Sequence, residues 1–63
     1  MTSIEIIRAL KQNGWVHDRT RGSHHIFVDP TTGRIAVVPH SKRDLPIGTV
    51  KNLERTTGLK FLK

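Results

Sequence analysis

The chain has 63 residues, no cysteine, and eleven lysines and arginines against five acidic residues, giving a net charge of +6. This length suits a single domain over residues 1–63, and the lack of cysteine excludes disulfides and thiolate metal sites. The longest apolar run, residues 35–38, is too short to cross a membrane, so we expect a cytoplasmic protein that has no membrane partner. The charge favours a nucleic-acid partner, with an acidic protein as the alternative.

The first predicted element is a helix over about residues 2–13. Thr2 and Glu5 have the spacing of a capping box, and apolar residues recur behind them at helical intervals. Gly14 can supply the left-handed residue that ends a helix, and Trp15 can then fold back on Leu10.

Three strands are predicted next, over residues 15–19, 24–28 and 34–38, with glycine-containing turns between them. Alternation places the side chains of residues 15, 17 and 19 on one side of the first strand. In the second strand His24 and His25 are neighbours in sequence, so they face opposite sides of the sheet.

A second helix is predicted from Pro46 to Thr57, with Gly58 ending it. The order α-β-β-β-α predicts an α+β fold like that of double-stranded-RNA-binding domains. Its three-stranded antiparallel sheet would carry both helices on one face. The apolar positions of these elements give the expected core, which is Ile6, Leu10, Trp15, Ile26, Val28, Ile35, Val37, Val50 and Leu53.

Histidine is the residue type in this chain that titrates near neutrality, and there are four copies. His24 follows Gly22 and Ser23, which suggests a surface position after a turn. Gly22 would let a phosphate approach the backbone, and Ser23 could donate to that phosphate. The alternative is that Gly22 and Ser23 form an ordinary turn and that His24 is a half-exposed strand residue.

His40 is the second histidine of interest because it lies beside a basic loop and suits contact with phosphate. An ordinary solvated loop is the alternative, and His17 is assigned no role. The candidate phosphate-binding cations are Arg19, Arg21, Lys42, Arg43 and Lys51.

The sequence favours RNA cleavage by acid–base catalysis over other chemistry. No histidine motif for metal binding occurs and the acidic residues are scattered, so no metal and no cofactor are expected. RNA carries its own nucleophile, the 2′-hydroxyl. An enzyme therefore needs only to move protons and to stabilise the charge on phosphorus.

Several motifs in order resemble the HicA toxins, and together they run from about residue 14 to residue 59. They are Gly14-Trp15, Gly22-Ser23-His24-His25-x-Phe27, Val37-Val38-Pro39-His40, Asp44-Leu45-Pro46-x-Gly48-Thr49-Val50-Lys51 and Gly58-Leu59. The first helix resembles the family only in pattern.

The resemblance implies a toxin of a toxin–antitoxin pair that cleaves mRNA independently of the ribosome. Its catalytic residue would be the histidine after Gly-Ser, which is His24 here. A HicB-type antitoxin would mask His24, and operator DNA would be bound only through the toxin–antitoxin complex. Two other functions stay open, a non-catalytic RNA-binding module and a domain whose basic face binds an acidic protein.

Overall fold

A computed structural model describes residues 1–62 and confirms the predicted α-β-β-β-α order. The elements are α1 (Ser3–Gln12), β1 (Val16–Arg21), β2 (His24–Val28), β3 (Ile35–Pro39) and α2 (Ile47–Thr57). The strands form one antiparallel sheet in the order β1-β2-β3. Both helices and one face of the sheet contribute side chains to a single core, so both helices pack on that face. We call it the helix face, and the opposite side the open face.

The two ends of α1 are formed by the local contacts that the sequence predicts. The Thr2 hydroxyl accepts the Glu5 N–H at 3.3 Å, and the Glu5 carboxylate accepts the Thr2 N–H at 2.9 Å. At the other end Gly14 has a φ of 86°, and the Trp15 N–H donates to the Leu10 carbonyl at 3.0 Å. This closure turns the buried Trp15 back into the core beside Leu10.

The hairpin of β1 and β2 is tighter than expected and contains a bulge. β1 continues to Arg21, so the turn consists of residues 22–23 alone, and Gly22 adopts the positive φ of 58° that such a turn requires. His17 pairs with Phe27, but the register then shifts at Asp18. The expectation that residues 17 and 19 share a face is therefore wrong, because the extra residue reverses the alternation.

The expected core was wrong for β3. Ile35 is 53% exposed and Val37 is 45% exposed, whereas Ala36 and Val38 are fully buried. Residues 35–38 are all apolar, so their alternation did not indicate which side faces inward. Pairing with β2 decides it, because Ala36 lies opposite the buried Phe27.

The expected core was wrong for β2 as well, because Phe27, which was not expected there, is buried against the helices, whereas Ile26, although buried, lies on the open face outside that cluster. Val28 is half-buried on the open face, and Leu45, in the loop before α2, is buried although it was not expected to be. α2 follows Pro46 and ends at Gly58, which has a φ of 76°, as predicted. Within residues 1–62, no helix has both the length and the apolar character needed to cross a membrane.

Candidate functional site

His24 occupies the first position of β2, and its side chain is exposed on the open face. It lies opposite Arg21 on β1 and opposite Pro39 on β3. The turn before it is tied to the end of β3, because the His40 N–H donates to the Ser23 carbonyl at 2.6 Å. The main chain around His24 is therefore fixed on both sides while its imidazole faces solvent.

The predicted cations do not form one cluster around His24. Arg21 is its cross-strand partner, and Arg19 lies farther along the same face, where its guanidinium pairs with Asp18. Lys42 and Arg43 are exposed in the loop after β3. Lys51 is also exposed, but it lies on α2, which packs on the helix face.

A second cluster of polar side chains lies on the helix face. The Nε2 atom of His25 is 3.3 Å from Nδ1 of His40. The other ring nitrogen of His25, Nδ1, is 3.2 Å from the Thr20 hydroxyl. The same hydroxyl is 2.9 Å from Nε2 of His17. We call these four residues the imidazole chain. It places the His40 ring against His25, on the side of the sheet away from His24.

The sequence offered no reason to assign a role to His17 or to expect it beside Thr20. A regular strand would place residues three apart on opposite faces. The bulge at Asp18 places His17 and Thr20 on the same face instead. No feature of the local sequence marked this bulge, so the imidazole chain could not be predicted.

A cavity of about 310 Å³ adjoins the imidazole chain between α1 and the hairpin of β1 and β2. Phe27 is buried, and the His17 ring meets it edge-on with 5.3 Å between the ring centroids. The cavity lining combines apolar, imidazole, hydroxyl and ammonium groups from Ile7, Lys11, His17, Thr20, His25 and Phe27. Within residues 1–62, no group of three or more histidine or acidic side chains is arranged to hold a metal ion.

Comparison with known protein families identifies the family of the chain. Residues 4–59 match the family model described as "HicA toxin of bacterial toxin-antitoxin". The chain belongs to the HicA toxin family. Membership makes it the toxin of a toxin–antitoxin pair, in a family known for RNA-cleaving toxins. No curated protein matches the chain. The matched residues of this HicA-family chain include the whole sheet and α2.

Proposed function

We propose that this chain is a metal-independent endoribonuclease that cleaves mRNA, with His24 as the catalytic acid or base. The observation that carries the proposal is the exposed His24, which pairs across the strands with Arg21 at the end of a tight hairpin. Family membership supplies the class of substrate.

The chemistry follows from what surrounds His24. A histidine can take the proton of the RNA 2′-hydroxyl or return one to the leaving 5′ oxygen. The guanidinium of Arg21, on the same face, would stabilise the negative charge that builds on the phosphate. Beyond its chain neighbours, no described atom lies within 4 Å of the position of a Cβ on Gly22, so a phosphate can reach the turn. There the Ser23 hydroxyl can donate to it.

The remaining cations would bind the RNA backbone away from the reacting phosphate. Lys42 and Arg43 follow His40, whose N–H holds the hairpin turn, so this basic loop begins beside the site. Phosphate contacts of this kind give affinity without sequence preference. Lys51 would reach only RNA that extends over α2.

The partner that we propose is a HicB-type antitoxin that masks His24. Neither helix covers the open face, where the exposed side chains of Val16, Ile35 and Val37 share a surface with His24. A protein that packs on these apolar side chains would bury them and exclude RNA from His24. Operator DNA would be bound only through that complex.

The decisive experiment incubates the purified protein with end-labelled RNA in EDTA. We expect cleavage that leaves a 2′,3′-cyclic phosphate, the product of attack by the 2′-hydroxyl. His24→Ala protein, purified in the same way, controls for contaminating nucleases and should retain RNA while cutting about 10²–10⁴-fold more slowly. RNA retention without cutting by the unchanged protein would favour the non-catalytic module, and no retention would favour the protein-interaction domain.

A further inference from the structure

We propose, given RNA as the substrate proposed above, that the cavity between α1 and the β1–β2 hairpin binds a single unstacked nucleobase. This site lies on the helix face, so it is separate from His24 on the open face. It would select a base close to the cleaved bond.

The size and lining of the cavity fit a flat aromatic ligand. Its volume of about 310 Å³ is at the lower end of the range for small-molecule sites, roughly 300–1,000 Å³. Ile7 and Phe27 give it an apolar floor, and His17 and His25 add two aromatic rings. Proteins that read RNA commonly stack splayed bases on phenylalanine and histidine side chains.

The polar groups of the cavity are held in place before any ligand binds. Thr20 lies within 3.2 Å of ring nitrogens of both His17 and His25, and His40 contacts the far nitrogen of His25. Fixed rings lose little conformational entropy when they bind a ligand. Both nitrogens of His25 are engaged in this chain, so the groups left for the edge of a base are Nδ1 of His17 and a remaining lone pair of the Thr20 hydroxyl.

The charge around the cavity favours a nucleotide, which is an anion, over a cationic ligand. Among the residues that line the cavity, Lys11 is exposed and carries an ammonium group, and none carries a carboxylate. An ammonium group at the rim of an apolar pocket suits the phosphate attached to a bound base.

The cavity and His24 lie at neighbouring positions of the same hairpin, on opposite faces of the sheet. Thr20 pairs with His25, and the next pair along the hairpin is Arg21 with His24. One step along a strand is about 3.3 Å. β1 is an outer strand of the described sheet, so RNA can cross its edge between the two faces. An RNA strand that passes around this edge would connect a base in the cavity with the phosphate at Arg21 and His24.

The test titrates AMP, GMP, CMP and UMP separately into isotope-labelled His24→Ala protein and follows the amide and imidazole NMR signals. Because that variant is chosen to be inactive, binding is measured whether or not the chain cleaves RNA. We expect saturable shifts centred on Ile7, Lys11 and Phe27, with one base preferred. Introducing Lys11→Glu or His17→Ala into the His24→Ala protein should weaken binding of the preferred nucleotide at least tenfold.

The matched control is Arg55→Glu. Arg55 lies in the last turn of α2 as Lys11 lies in the last turn of α1. The charge reversals Lys11→Glu and Arg55→Glu therefore both remove the favourable interaction of a cation with the C-terminal end of a helix. We expect Arg55→Glu to leave nucleotide binding unchanged. An equal loss in both reversals, or shifts confined to the open face, would overturn the proposed cavity site.

The two proposals fail in different ways. If nucleotides bind in the cavity but the unchanged protein never cuts RNA, catalysis is wrong and the base site stands. If RNA is cut but no nucleotide perturbs the cavity, the base site is wrong and catalysis stands. In the active protein, His17→Ala should also reduce the preference for one base near the cleaved bond.

Discussion

His24 and His25 are consecutive in the chain, yet their imidazoles lie on opposite faces of the sheet. His24 is exposed beside Arg21, whereas His25 pairs with the buried Val38 and lies 3.3 Å from His40. Substituting each histidine in turn therefore separates events on the open face from events on the helix face.

We expect His24→Ala to reduce the single-turnover rate at saturating RNA by about 10²–10⁴-fold, since it removes the proton-transfer group. His25→Ala should raise the RNA concentration needed for half-maximal rate but leave the saturating rate within about threefold, because it affects binding. Single-turnover kinetics measure both quantities, and circular dichroism checks the fold. A folded His25→Ala protein as slow as His24→Ala would move the catalytic role to the helix face.

The basic surface makes a separate prediction about salt. Replacing Arg21, Lys42 or Arg43 with alanine should lower the slope of log affinity against log salt by about 0.7–0.9 for each phosphate that is no longer neutralised. Retention of labelled RNA by the His24→Ala protein measures this slope without cleavage. Arg55→Ala is the control and should leave it unchanged. If all three slopes match that control, these cations are ordinary solvated charges.

The register of β3 predicts unequal effects for two adjacent valines. Val38 is fully buried, so Val38→Ala should lower the free energy of unfolding by about 2 kcal/mol, because it removes buried apolar surface and leaves a cavity. Val37 is 45% exposed on the open face, and Val37→Ala should cost no more than about 1 kcal/mol. Urea unfolding of the two variants gives the comparison. A larger cost for Val37→Ala would mean that the strand faces the other way.

Glu54 on α2 makes the attachment of residues 61–62 to that helix depend on pH. Its carboxylate accepts the N–H groups of Leu62 at 2.9 Å and of Phe61 at 2.7 Å, and these hydrogen bonds lower its pKa. A carboxyl whose pKa is lower in the folded state stabilises that state above its ordinary pKa of about 4.3. This stabilisation is lost as the pH falls through the lowered value.

We therefore expect the amides of Phe61 and Leu62 to lose protection from hydrogen exchange in acid, below about pH 4.3. Glu54→Gln should weaken their protection at neutral pH and remove its dependence on acid. Exchange measured by NMR at several pH values tests both effects. An acid transition at these amides that persists in Glu54→Gln would assign it to another group.

Much of the fold and part of the candidate site follow from local sequence. The capping box of Thr2 and Glu5, and the closure of α1 at Gly14, join residues within a few positions of each other, so they can be read directly. The opposite orientation of His24 and His25 follows from the two-residue repeat of any strand. The motifs that resemble HicA toxins are also linear, and the family match confirms the resemblance.

Only the tertiary structure decided which side of β3 is buried and which polar residues meet on the helix face. Residues 35–38 are apolar throughout, so the choice between Val37 and Val38 depends on pairing with β2. The bulge at Asp18, which places His17 beside Thr20, likewise arises from the match between two strands. Cross-strand register is a property of two segments packed on the same core, and neither segment specifies it alone.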